Sequence, residues 1–196
     1  MTPDEALARL LSGNRRFADD RVRSPGRGTA RRAELAQGQN PFACLVSCSD
    51  SRVTLELIFD QGLGDLFVVR VAGNTATDPL VIGSVEYSAT VLNTPLIMVM
   101  GHEECGAVKA AIDSDTNGTV YPGDLSAVIA PILPAVQQTR SLPKSEQLEG
   151  ATQANVRNQV KALSAVPLIA DRVTAGTLKL VGAEYHLQTG EVELLP

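Results

Sequence analysis

Short apolar runs constrain this chain more than any other feature. Phe42-Ala43-Cys44-Leu45-Val46, Leu66 to Val71 and Pro95 to Met100 are apolar at nearly consecutive positions rather than at alternate ones, and a fourth run spans Leu178 to Ala183. Strands of this kind are covered on both faces. Helical patterns separate them: a segment through Leu55 and Phe59, another from Pro79 to Leu92, a restart from Cys105 to Ile112 and a long one from Glu146 to Leu163. Strand, helix and strand in alternation predict an α/β fold, a mainly parallel central sheet flanked by helices.

The ends of the chain add to this plan. Thr2-Pro3-Asp4-Glu5 offers a hydroxyl N-cap, proline at the first helical position and glutamate three residues after the cap, so a helix is expected from Pro3 to Phe17. Arg21 to Thr29 reads as an extended connector, and Arg31 to Ala36 as a short helix stopped by Gly38. Residues 1–38 thus form an N-terminal helical arm. Asp113 to Gly123 reads as a polar loop. Pro131 and Pro134 break the helical pattern from Asp124 to Arg140 into a kink or two short helices, and a short helix follows Pro167. Tyr185 to Leu194, with Gln188-Thr189-Gly190 at its centre, predicts a C-terminal antiparallel hairpin. The 196 residues suffice for one sizeable core, and the expectation is a single domain over 1–196.

Charge narrows the partners. Seventeen basic residues against 22 acidic ones leave a net charge of -5, which excludes a global field for nucleic acid. The arginines from Arg15 to Arg32 lack interleaved aromatics and are diluted by Asp19, Asp20 and Glu34, so they read as a solvated or inter-subunit face. No run approaches the roughly 20 apolar residues of a membrane span, and the expected location is the cytoplasm. Three cysteines are an odd number and make no disulfide framework. Cys44, inside an apolar run, is expected in the core.

The other two cysteines fall elsewhere. Cys48 follows one apolar strand, His102 follows another, and Cys105 lies three residues on at a strand-to-helix corner. In open α/β sheets the crevice beyond the carboxyl ends of the strands is where ligands bind. Two thiolates and one imidazole there supply three ligands to a zinc ion, one per chain, and leave a fourth position for chemistry. Asp50 and Arg52, two residues apart beside Cys48, are suited to a two-pronged carboxylate-guanidinium pair. If that pair broke, Asp50 could itself close the fourth position as a ligand.

The run C-S-D-S-R-V from Cys48, the later H-x-x-C-G from His102, and the flanking Gly38-Gln39-Asn40-Pro41, Phe67-Val68-Val69-Arg70 and Glu86-Tyr87 segments resemble those of a bacterial β-class carbonic anhydrase. The resemblance covers nearly the whole chain. It implies a zinc enzyme interconverting carbon dioxide and bicarbonate, with Cys48, His102 and Cys105 as ligands and Asp50, positioned by Arg52, orienting the attacking water. It further implies that Gln39 contacts bicarbonate or solvent at the metal and that the Gly106 N–H binds a substrate oxygen. Phe67, Ala72 and Tyr87 would line a pocket across a subunit interface in a homodimer or homotetramer. Ala72 stands where plant-type members carry a larger aliphatic residue. Leu45 stands where an allosteric subgroup carries tryptophan, a residue this chain lacks, which points to the non-allosteric, plant-like subgroup. Two other readings compete: hydrolysis of a related linear substrate such as carbon disulfide, and a non-catalytic zinc module. Neither histidine is an evident proton shuttle, because His102 is committed to the metal and His186 in the hairpin reads as exposed and structural, which leaves buffer, Tyr87 or a water chain.

Overall fold

The computed structural model describes residues 1–196. Five strands form one sheet: β1 (Ala43–Ser47), β2 (Leu66–Arg70), β3 (Leu96–His102), β4 (Lys179–Tyr185) and β5 (Val192–Leu195). Their order across the sheet is β2-β1-β3-β4-β5. The first four run parallel, and β5 returns antiparallel to β4 as the terminal hairpin. The chain therefore leaves β1 for β2 on one side and then crosses back to β3 on the other. The reversal places a crevice between the carboxyl ends of β1 and β3.

Strands β1 and β3 are buried at every residue, which is why their apolar runs show no alternation. Alternate side chains feed two cores. Leu45, Met98 and Met100 pack with Leu10, Leu55, Ile58 and Phe59 of α1 (Pro3–Ala18) and the segment around α3 (Leu55–Ile58). Cys44, Val46, Ile97 and Val99 pack with Val81 and Val85 of α4 (Pro79–Thr90), Val156 and Leu163 of α8 (Gln147–Ser164), and Ile169 of α9 (Pro167–Thr174). Cys44 is fully buried as expected, and burial pushes its thiol up to about 12.

The arm folds as anticipated. Thr2 Oγ1 accepts from the Glu5 N–H while Glu5 accepts from the Thr2 N–H, a reciprocal cap. Gly13 lets α1 press onto α3, for a Cβ there would lie 1.8 Å from the Phe59 carbonyl oxygen. Asp60, buried, accepts from the N–H groups of Arg23 and Ser24 and pairs with Arg16 at 2.6 Å, fixing the extended connector. It leads to α2 (Thr29–Leu35).

Three expectations need correction. Strand β2 is half-buried throughout rather than buried, because it is the sheet edge and within this chain its outer side is bare. The loop expected from Asp113 begins later: α5 runs Gly106–Asn117, its polar last turn tied by Asn117 Nδ2 to Asp113 at 2.7 Å and ended by Gly118 at φ 67°. His102 is the last residue of β3 rather than one beyond it. The proline-rich stretch does split, into α6 (Leu125–Ile129) and α7 (Leu133–Gln138).

Candidate metal centre

Cys48, His102 and Cys105 converge in the crevice. Their ligand atoms all lie within 4.8 Å of one another and all three residues are buried. Cys48 is carried just past β1, and its sulfur is 4.0 Å from that of Cys105. Two zinc–sulfur bonds at a tetrahedral angle require a sulfur separation of about 3.8 Å, so the pair has the span the ion needs.

The imidazole makes a sharper test. His102 Nδ1 lies 2.7 Å from the Glu103 carbonyl oxygen, and a carbonyl can only accept, so Nδ1 carries the proton. Nε2 is left with its lone pair, buried and without any hydrogen-bond partner. A buried acceptor without a donor is costly. Facing two sulfurs, this one is placed as a metal ligand, in the tautomer that the carbonyl enforces.

The sulfurs are prepared as well. The Gly73 N–H donates to Cys48 Sγ at 3.3 Å. The hydrogen bond with Cys105 lowers the Cys48 thiol, and the same contact together with burial raises that of Cys105. Two thiolates this close repel one another, so a cation between them would favour the ionised form of both. Cys105 occupies the N-cap position of α5 without a side-chain cap hydrogen bond, and the backbone N–H groups of Val108 and Ala107 pull its thiol down against the larger effects of Cys48 and burial.

Asp50 and Arg52 form the anticipated pair. Arg52 Nε donates to Asp50 Oδ1 at 2.9 Å and Nη2 to Oδ2 at 2.7 Å, while the Arg52 N–H also reaches Oδ1. Arg52 further donates to the Glu104 carbonyl, tying the Cys48 loop to the turn that carries Cys105. These bonds hold the Asp50 carboxyl well below the usual carboxylate range. Its Oδ2 lies 3.9 Å from His102 Nε2, on the rim of the centre. The arrangement present is the one in which Arg52 engages both oxygens, not the one in which Asp50 closes onto the ligands.

The remaining expected residues are more dispersed. Gly106 opens α5, and a Cβ there would meet no atom within 4 Å; its N–H has no helical acceptor. Ala72 is exposed in a 3-10 turn, Ala72–Asn74, beside the Gly73 that touches Cys48. Phe67 on β2 and Tyr87 on α4 stack at a tilt, ring centroids 6.1 Å apart. Gln39 is exposed in the loop before β1, outside the hydrogen-bonded group around Cys48. His186 corrects the expectation of an exposed residue: its side chain is 25% exposed and lies 2.9 Å from Glu103.

Supporting residues went unread in the sequence. Arg70 donates to the carbonyls of Cys48 at 2.9 Å and Asp50 at 2.7 Å, fixing the loop between them. Asn155 of α8 donates to the Gly73 carbonyl, and Gln159 donates to Asn155 while accepting from the Ala76 N–H. Two polar residues four apart on a buried helix face were the available signal.

A carbonic anhydrase family model matches residues 43–192, most of the chain. "Carbonic anhydrase 2" of Mycobacterium tuberculosis is 43% identical over 195 residues, 98% of this chain and 92% of the relative. The "Carbonic anhydrase" of Mycolicibacterium smegmatis is 41% identical over 194 residues, 98% and 93% of the two chains. Among solved structures, a tetrameric β-carbonic anhydrase of Sordaria macrospora aligns with TM-score 0.77 at 25% identity, over 84% of this chain and 85% of that one. The crevice, its Cys-His-Cys cluster and these likenesses agree: the chain belongs to the β-class carbonic anhydrases.

Proposed function

We propose that this enzyme catalyses the reversible hydration of carbon dioxide to bicarbonate and a proton, with one zinc ion per chain on Cys48, His102 and Cys105. The observation that carries the assignment is His102 Nε2, a buried lone pair with no partner, aimed at two thiols beside an ordered carboxylate. Zinc would supply a nucleophilic oxygen from water near neutral pH.

The chain's own residues do the rest. Asp50, held ionised by Arg52, is an acceptor only. A water in contact with it must donate its hydrogen there, and a lone pair then faces the substrate. The two-pronged Arg52 contact keeps the carboxylate from rotating. The Gly106 N–H at the start of α5 binds a substrate oxygen on which charge develops, and Gln39, exposed and apart from the Cys48 group in the single chain, contacts bicarbonate once subunits assemble. Phe67, Ala72 and Tyr87 form the wall for an uncharged linear substrate. Ala72 and Tyr87 are exposed in the single chain, which favours a site completed by a second subunit, in a homodimer or homotetramer. No helix is long and apolar enough to cross a membrane, in keeping with a cytoplasmic enzyme.

Two thiolate ligands offset the charge of the ion, leaving a weaker Lewis acid than three imidazoles would, so the pH optimum is alkaline. Stopped-flow carbon dioxide hydration across pH, on protein of known zinc content, tests the assignment alongside Asp50→Ala. Turnover should rise toward alkaline pH and fall sharply in the variant with zinc retained. No turnover by the zinc-loaded parent would leave the non-catalytic zinc-module reading, full activity in Asp50→Ala would remove Asp50 from the mechanism, and turnover confined to carbon disulfide would replace the substrate.

A further inference from the structure

Behind the His102 to Cys105 corner, on the side facing α8, lies a cavity of about 340 Å³ bounded by Glu103, Glu104, Glu149 and Glu184. No lysine or arginine lines it, and Leu148 is its single hydrophobic wall. Glu184 on β4 is 1% exposed. Its Oε2 accepts from Gln153 at 2.9 Å, whereas Oε1, equally buried, has no partner.

The four carboxylates are not equivalent. Glu103 is engaged on both oxygens, by His186 and by the Leu187 N–H, and Glu104 pairs with Lys109. Glu149 and Glu184 have between them only the Gln153 amide, which reaches Glu149 at 3.4 Å. Burial, with Glu149 and Glu103 nearby, pushes the Glu184 carboxyl up, against the opposing pull of Gln153 and His186. A buried carboxylate with an empty oxygen calls for positive charge.

The geometry selects the kind of cation. The three side chains whose ligand atoms meet within 4.8 Å are Cys48, His102 and Cys105, and no three of these glutamates form such a group, so they offer a bare ion no three-ligand cage. An organic cation would find no aromatic face here and one leucine. An ion that keeps its waters fits: six waters at roughly 30 Å³ each occupy about 180 Å³, and Mg²⁺ sheds water reluctantly. We propose that this cavity is a second cation site, taking a hydrated divalent ion of the Mg²⁺ class through water-mediated contacts to Glu184 and Glu149.

The zinc-loaded enzyme is titrated calorimetrically with MgCl₂ at fixed ionic strength, with melting curves recorded in parallel. One ion per chain should bind with a dissociation constant of about 1 mM. Glu184→Gln keeps the acceptor for Gln153 but removes the buried charge. It should weaken binding at least tenfold, melt higher than the parent without Mg²⁺, and lose the Mg²⁺-dependent rise. Glu149→Gln, at an exposed helix position that cannot upset folding, should weaken binding severalfold, and Asp115→Asn, whose carboxylate pairs with Arg140 elsewhere, should change nothing. The site is overturned if Mg²⁺ gives no heat at roughly ten times that concentration, if both glutamine variants bind like the parent, or if putrescine binds and Mg²⁺ does not.

Discussion

Replacing Asn155 with alanine tests whether the metal centre depends on a hydrogen-bond chain that begins well outside it. Asn155 is fully buried and Gln159 nearly so. Asn155 Nδ2 donates to the Gly73 carbonyl at 2.9 Å, and Gln159 Nε2 donates to Asn155 Oδ1 at 3.0 Å. Each buried bond is worth about 1 kcal/mol net, and the stranded Gly73 carbonyl and Gln159 amide raise the cost to about 2–4 kcal/mol. This is a large share of a typical domain stability of roughly 5–15 kcal/mol. Gly73 sits at φ 75°, with Ile132 and Ala107 against the place a Cβ would take, and its N–H is a donor to Cys48. Loosening its carbonyl therefore reaches the sulfur, and loss of such an outer contact typically weakens metal binding about 10–100-fold. Urea unfolding gives the first quantity and chelator competition for zinc the second. A variant within about 0.5 kcal/mol of the parent, with zinc affinity changed less than twofold, refutes the chain of reasoning. The double variant with Gln159→Ala should be less than additive, because the two residues share one network.

Asp50→Asn retains the shape of the carboxylate but presents an amide to solvent, so carbon dioxide hydration should fall at least tenfold with zinc content unchanged; equal turnover rates would remove Asp50 from the mechanism. Asp60 is held below the usual carboxylate range: burial alone would raise it, but the Arg23 and Ser24 N–H groups and Arg16 outweigh that. A depressed folded value means the stabilisation is present above the unfolded value of about 3.9 and is lost as pH falls through the folded one. Asp60→Asn should accordingly cost stability at neutral pH, and the gap to the parent should close below about pH 3.9 in acid-unfolding curves. Stripping zinc with a chelator should lower the melting temperature and make two thiols, Cys48 and Cys105, reactive to a disulfide reagent, while Cys44 reacts only on unfolding. Three fast thiols would contradict the burial of Cys44.

Much of the architecture was written in local pattern. Consecutive apolar residues in Phe42 to Val46 and Pro95 to Met100 required strands covered twice, and Thr2 to Glu5 specified a cap that needs only its own four residues. The positions of Cys48, His102 and Cys105 at strand ends carried the metal centre, and the i, i+2 spacing of Asp50 and Arg52 carried their pair. The cap and the Asp50–Arg52 pair are set by neighbours in the chain, so the sequence alone determined them, whereas Cys48 meets His102 and Cys105 only because β1 pairs with β3. Tertiary structure alone decided that β2 is a half-bare edge, since strand order depends on long-range pairing that an apolar run does not encode. It also decided that Arg70 and Asn155 brace the Cys48 loop from 22 and 82 residues away from their partners Cys48 and Gly73, and that Glu184 is buried facing other carboxylates. Hydrogen bonds and charges of this kind join groups remote in sequence, and their partners exist only once the sheet and α8 have brought them together.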